Sequence, residues 1–273
     1  MSGRARISAL HVYPVKSCRG ISRPALTLAA TGFEHDRHWL IVRPGGRFVT
    51  QRELPRMALI AAEVTPQGLH LAAPDMPALE VMERTNAASE PVVIWRDTCR
   101  AVDQGDAAAD WLTRYLGTQL RLVAFDARED RVSNPQWTGG TRAITQFADA
   151  FALLAISTAS LDDLNRRLAR ALPMERFRPN IVLDGLDAYA EDRIAEFRRD
   201  GVRLRVVKPC ARCSITTTNQ ATGEVEGDEP LRTLKSYRWS KDLMGVLFGQ
   251  NAIVVEGVGQ QLAVGDEFDI IWR

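Results

Sequence analysis

Cysteine is scarce, with four in 273 residues, unevenly spaced. That is too few for a disulfide scaffold and points to a reducing, cytoplasmic setting. No apolar run approaches the roughly 18 residues that a membrane span needs. The opening Met1-Ser2-Gly3-Arg4-Ala5-Arg6 lacks the apolar stretch of a secretory signal, so no membrane partner is expected. Surplus charge is missing too. At a net charge of +1 no global field favours nucleic acid or a membrane surface, and any anion site must be local. Several chemical motifs are absent as well. There is no Gly-x-Gly-x-x-Gly and no Walker loop, which sets aside nucleotide binding by those routes. There is no Gly-x-Ser-x-Gly elbow, and His35 beside Asp36 is too common a pair to mark a serine hydrolase. No internal repeat or low-complexity tract occurs.

What is present is a chain 45% hydrophobic, long enough for one large or two small domains. Its first hundred residues read as short strands. Ile7 to Tyr13 is ended by Pro14, Leu26 and Leu28 mark another, and His38–Val42 and Arg47–Thr50 flank Pro44-Gly45-Gly46 as a hairpin. Ala58 to Val64 follows, then Gly68 to Leu71, Leu79 to Met82 and Val92 to Trp95. Such spacing argues for a barrel or sandwich. A helix is predicted over Asp106–Leu116, with Asp106 as N-cap and Gly117 as C-cap. Another is predicted from Ser160-Leu161-Asp162-Asp163, which has the form of a capping box. Residues 126–146 read as a long polar loop, the natural candidate for a lid.

Two groups of residues could carry chemistry. Val202, Leu204 and Val206 alternate with Arg203 and Arg205 as a half-buried strand. Pro209 is expected to end it, leaving Cys210-Ala211-Arg212-Cys213 on a loop. Four readings of this pair stand open: two ordinary buried cysteines, a redox dithiol, half of a zinc site, or one thiolate holding a soft transition metal with positions left for substrate. The β-branched Ser214-Ile215-Thr216-Thr217-Thr218 favours a strand rather than the helix of a thioredoxin-type site. Zinc lacks further ligands, since Cys18 and Cys99 are isolated and His11, His35, His38 and His70 lack paired spacing. Lys208 and Arg212 would favour a thiolate. The second group is basic residues beside turns: Lys16-Ser17, Asp36-Arg37, Gln51-Arg52 and Arg176-Phe177-Arg178-Pro179-Asn180. Exposed backbone N–H groups and arginine forks suit phosphate.

Taken together, the following stretches resemble the MOSC family: Tyr13-Pro14-Val15-Lys16-Ser17-Cys18-Arg19-Gly20, Asp36-Arg37-His38-Trp39, Arg176-Phe177-Arg178-Pro179-Asn180, Lys208-Pro209-Cys210-Ala211-Arg212-Cys213 and Leu234-Lys235-Ser236-Tyr237-Arg238. More closely, they resemble its amidoxime-reducing type, which has an N-terminal MOSC β-barrel subdomain. Phe248-Gly249-Gln250 and Val264-Gly265-Asp266 fit the same pattern. The resemblance implies a β-rich α+β fold: an N-terminal β-barrel-like subdomain over 1–125, then a β-barrel MOSC domain over 126–273 with a few short helices. The first strands are available to complete the second domain. It also implies molybdenum cofactor, a pterin dithiolene with a phosphate tail. Cys213 would be the metal ligand and catalytic cysteine, and Cys210 would have no ligand role. Lys16, Ser17, Arg37, Arg178 and Asn180 would bind the pterin and its phosphate, with Arg212 the cation beside Cys213.

The implied reaction is reduction of N-hydroxylated compounds: amidoximes, hydroxylamines and N-hydroxylated bases. The chain ends at Arg273 without a cysteine-rich cluster motif, so the electrons are expected from a separate reductase, iron–sulfur or haem protein. The alternative is a sulfur-carrying or cofactor-binding MOSC protein that uses Cys213 without reductase activity. One turn departs from the family pattern. Where Val-Asp-Pro-x-Thr-Gly is usual, the chain reads Thr218-Asn219-Gln220-Ala221-Thr222-Gly223.

Overall fold

The computed structural model describes residues 3–273. Seven strands form its largest unit: β1 (Gly3–Val12), β2 (Leu153–Ser157), β3 (Ile181–Asp184), β4 (Ile194–Arg199), β5 (Val202–Arg212), β6 (Gly245–Glu256) and β7 (Glu267–Trp272). Neighbours run β2-β3-β1-β7-β4-β5-β6, and β6 pairs back onto β2, which closes a barrel. Every seam is antiparallel except β2–β3, whose parallel crossover is the helix Thr158–Arg167.

Alternation makes this barrel. Val202, Leu204 and Val206 of β5 point into a core with Ile7, Leu10, Phe197, Phe268 and Ile270. The intervening Arg203 and Arg205 reach Glu196 on β4, Arg205 at 3.3 Å. At the closing seam the chain needs Gly249 (φ 85°). A Cβ there would stand 2.6 Å from Ile156 Cγ1 and 3.0 Å from the Ala155 carbonyl.

The remainder of the first half forms a four-stranded sheet in the order Trp39–Val42, Arg121–Phe125, Asp97–Asp103, Ser89–Ile94, and a three-stranded sheet over Ala61–Thr65, Gly68–Ala72 and Leu79–Met82. The helix Asp106–Leu116 packs Trp111, Leu112 and Tyr115 into their shared core. The chain's first strands cross to the other half. β1 is a barrel strand, and Ala25–Ala29 pairs with Gln261–Ala263. No helix of the described residues is long and apolar enough to cross a membrane.

Several local expectations are corrected. Pro209 does not end β5, which runs on to Arg212. Register irregularities at Val206/Lys208 and Pro209/Ala211 absorb the missing N–H. Ser214–Thr217 is a 3-10 turn rather than a strand, because Thr216 and Thr217 hydroxyls donate to the carbonyls of Cys213 and Ser214 at 2.9 and 2.8 Å. Arg47–Thr50 joins its neighbours only through isolated bridges, Val42 to Phe48 and Arg47 to Val93. The first helix is entered through Gly105, not capped by the Asp106 side chain, while Gly117 is the left-handed C-cap as expected. The second helix starts earlier, with Ser157 as N-cap accepting from Ser160 N at 3.1 Å. Within 126–146, Arg131–Val132 pairs with Ile144–Thr145, and buried Arg131 donates to the carbonyls of Gln146, Ala148 and Asp149. The segment thus has strand structure of its own and is anchored through Arg131.

Phe268 is fully buried, its ring 5.5 Å from that of Phe197. Phe268→Ala is expected to lower the urea unfolding free energy by about 3–5 kcal/mol. Met82→Ala, at an exposed position, should change it by less than about 0.5 kcal/mol.

Candidate functional site

Where the two halves meet, one cleft is lined by Lys16, Ser17, Arg37, Arg178, Asn180, Arg212 and Cys213 together. Residues named separately from distant stretches of sequence thus converge on one space. Cys210, Trp95, Asp149 and Thr50 share its wall.

Backbone strain positions several of these side chains. Eight non-glycine residues among those described have positive φ, and Ser17 (65°), Arg37 (51°), Trp95 (56°) and Arg178 (54°) all line the cleft. Left-handed backbone at a non-glycine residue costs on the order of 1–3 kcal/mol and persists only where the surroundings over-determine it. They do so here. Arg37 N donates to the Tyr13 carbonyl at 2.8 Å. Arg178 closes the 3-10 turn Met174–Phe177, its N donating to the Glu175 carbonyl at 3.2 Å. Ser17 is held through its carbonyl, which accepts from Gln51 Nε2 at 2.7 Å. Fully buried Gln51 exchanges hydrogen bonds with Gln220 at 2.9 and 3.1 Å. The turn that departs from the family pattern is therefore coupled to the Lys16-Ser17 loop through an amide pair.

Cations dominate the electrostatics. Lys16 Nζ is buried and donates to Asp149 Oδ1 at 2.6 Å and to the Phe147 carbonyl at 2.8 Å. Burial pulls its ammonium below the ordinary lysine range, against the opposing pull of Asp149. The Asp149 side chain itself is exposed. Lys16, a hydrogen bond from Trp95 and the nearby Arg37 hold its carboxyl below the usual carboxylate range. Arg37 pairs with Asp36 and donates to Asn180 Oδ1 at 3.0 Å. Buried Arg178 donates to the Cys18 carbonyl at 2.7 Å, and burial lowers its guanidinium to about 10. Neither Arg178 nor Arg212 has a carboxylate partner among the described residues. The Nε of Arg212 is buried with no hydrogen bond at all. Uncompensated buried cations are costly, and a site that keeps them suits an anionic ligand.

The cysteine loop differs from expectation in one respect. Arg212 makes no hydrogen bond to Cys213 among the described residues. Its Nη1 donates to Cys210 Sγ at 2.9 Å and its Nη2 to the Phe177 carbonyl at 2.6 Å. Lys208 is also turned away, its ammonium lying 4.7 Å from the centre of the Trp137 ring. Cys213 sits half-buried where β5 passes into the 3-10 turn. Arg176 fixes that turn by donating to the Thr217 carbonyl at 2.8 Å. The other thiols lie apart, and burial raises Cys18 to about 12 and Cys99 to about 11. No cluster of three or more metal-ligating side chains occurs among the described residues.

Sequence reasoning missed Asp149, Trp95 and Gln51. Asp149 lies in an unremarkable stretch, and only the fold sets it against Lys16. Trp95 read as the end of a strand. Gln51 was noted only as a turn residue beside Arg52.

Family comparisons match both halves of the chain. The MOSC N-terminal beta barrel domain matches residues 4–119, and the MOSC domain matches residues 143–269. The chain belongs to the MOSC family, in the form that carries both domains. Among curated proteins it is 36% identical to mitochondrial amidoxime-reducing component 1 of Mus musculus, covering 89% of this chain and 74% of that protein. It is 35% identical to the Homo sapiens component 1 and 34% identical to the Bos taurus component 2, each alignment covering 95% of this chain and 81% of the relative.

Two tests address the cleft. Gln51→Ala leaves a buried carbonyl and an amide unpaired and is expected to cost about 1–3 kcal/mol. In a cycle with Gln220→Ala the two losses should be non-additive by more than about 0.5 kcal/mol. The second test is acid titration. An aspartate held below its unfolded value contributes stability above about pH 4 that is lost as pH falls further. Asp149→Asn should therefore flatten the loss of stability between about pH 4 and pH 2, read by thermal melts.

Proposed function

We propose that the protein is a molybdenum-cofactor-dependent reductase of N-hydroxylated compounds: amidoximes, hydroxylamines and N-hydroxylated bases. The observation that carries this reading is the cleft itself, where guanidiniums without carboxylate partners and two half-buried cysteines, Cys210 and Cys213, share a wall. That donor set fits a pterin dithiolene with a phosphate tail. Lys16, Ser17, Arg37, Arg178 and Asn180 would hold the pterin and its phosphate. The unpartnered Nε of Arg212 adds a donor, and a soft thiolate at Cys213 suits a soft metal. When bound, the cofactor supplies the two-electron couple that the reaction needs.

Overall, the N-hydroxyl group takes up two electrons and two protons, the N–O bond breaks and water leaves. The residues of this chain bind and orient. The hydrogen bonds from Lys16 and Trp95 both fall on Oδ1 of Asp149, which leaves Oδ2 as an acceptor for a substrate N–H. The carboxylate stays ionised far below neutral pH and so accepts hydrogen bonds without donating a proton. Electrons would come from a separate donor protein. The relatives are each named a component, which suits a protein working with another. The cytoplasm, where Cys18, Cys99, Cys210 and Cys213 would remain thiols, is the proposed compartment.

The Arg212–Cys210 contact makes Cys210 the rival ligand, so the test compares both cysteines. Protein made in a host with intact cofactor synthesis should contain near-stoichiometric molybdenum, as should Cys210→Ser. Cys213→Ser should lose the metal with its circular dichroism spectrum unchanged. The wild type should reduce benzamidoxime with dithionite-reduced methyl viologen. Molybdenum kept in Cys213→Ser overturns the ligand assignment. A molybdenum-loaded wild type that leaves benzamidoxime unreduced favours the carrier reading.

A further inference from the structure

The mouth of the cleft carries a feature that cofactor binding does not use. Strands Ser89–Ile94 and Asp97–Asp103 are joined by Trp95 and Arg96 alone, since Ile94 stands opposite Asp97. Two-residue hairpin loops favour asparagine, aspartate and glycine because the backbone there turns left-handed. This loop instead places a tryptophan at φ 56°. A bulky aromatic residue in that conformation is a genuine outlier and signals a local demand. The indole is 45% exposed although it lines the cleft, and its N–H donates to Asp149 Oδ1 at 3.1 Å. Trp95 is thus the wall between the cleft and the surface outside it.

That surface is basic. A groove beside Trp95 is lined by Arg47, Phe48, Arg52, Glu53 and Val93. Arg52 lies 4.3 Å from the centre of the Trp95 indole, and the Phe48 ring packs edge-on at 5.2 Å. Arg47 and Arg96 are exposed. The neighbouring carboxylates are already engaged: Glu53 by Arg43 at 3.3 Å, Asp97 by Arg131 at 2.6 Å and Asp149 by Lys16 at 2.6 Å. Arg47, Arg52 and Arg96 form no ion pair among the described residues. An exposed tryptophan ringed by unpaired arginines has the composition of a protein interface core. In a chain of net charge +1 it is a local field facing one way.

We propose that this patch docks an acidic electron-carrier protein at the mouth of the cleft, with Trp95 the central contact and Arg47, Arg52 and Arg96 steering the approach. The inference rests on the reductase reading. Each substrate N–O bond takes two electrons and two protons, so two molecules of a one-electron carrier are oxidised per turnover. Water supplies the protons, and the oxygen leaves as water. Complementary charge raises the encounter rate and makes it sensitive to salt.

The test uses full-length, molybdenum-loaded protein, an acidic plant-type [2Fe–2S] ferredoxin kept reduced by its reductase, and benzamidoxime. Arg47→Glu/Arg96→Glu is compared with Arg47→Lys/Arg96→Lys. The glutamate variant should raise KM for ferredoxin about tenfold or more and lose the salt dependence of the wild type, while the lysine variant should stay within about threefold. Viologen-driven kcat and KM for benzamidoxime should be unchanged in both variants, because neither position lines the cleft. Ferredoxin binding measured directly by calorimetry should weaken in parallel.

An unchanged ferredoxin KM, or a wild type that does not bind ferredoxin, overturns the proposal. So does a rise in KM for benzamidoxime under viologen, which would make the patch a substrate contact. A wild type inactive with viologen sinks the reductase reading instead, and the binding measurement still decides the docking surface.

Discussion

The ring of Tyr13 carries two guanidiniums, with Arg37 at 4.2 Å and Arg178 at 4.3 Å from its centre. Arg178 is buried and Arg37 partly so, the two cations repel each other, and burial already lowers Arg178. The ring face, Asp36 beside Arg37 and the Cys18 carbonyl beside Arg178 offset part of that cost. The tyrosine is locked in turn. Its N–H donates to Asp36 and its hydroxyl to the Pro179 carbonyl, each at 2.9 Å. Asn180 then ties the cluster to the barrel by accepting from Leu154 N on β2 and donating to the His11 carbonyl on β1. The exit of β1, the turn at Arg37 and the entry to β3 are one polar network, and moving any of them would disturb the others.

A barrel that closes β6 onto β2 makes this network possible. Closure brings the start of the chain beside its second half, so Lys16 and Cys213 end on one wall although more than two thirds of the chain separates them. The left-handed residues mark the same place. Strain at Ser17, Arg37, Trp95 and Arg178 is concentrated where side chains must point into a common space instead of along their own strands. The two cysteines are not equivalent there. Cys210, still within β5, takes the Arg212 hydrogen bond, while Cys213 lies past the strand end at the head of the 3-10 turn. Along the mouth, Trp95 stands between the polar interior and a basic exterior.

Much of the fold was legible because it is locally encoded. The β5 alternation, the helix Asp106–Leu116 and its Gly117 cap follow from periodicity and backbone freedom that neighbouring residues set by themselves. Errors came where tertiary partners override local preference. Pro209 stays within a strand because register irregularities accommodate it. Thr216 and Thr217 leave β geometry because their hydroxyls find backbone carbonyls close by. Ser157 caps the second helix partly because buried Glu191 accepts from both its N–H and its hydroxyl across the chain.

The residue types that line the cleft were determined by the sequence alone: lysine, arginines, asparagine and cysteine in recognisable short stretches. Which of them share one cavity was decided by tertiary structure. So was the pairing of Lys16 with Asp149, of Gln51 with Gln220 and of Arg212 with Cys210. The physical reason is that an ion pair or hydrogen bond acts over a few ångströms of space with no regard for distance along the chain. Only strand pairing and barrel closure convert remote positions into neighbours.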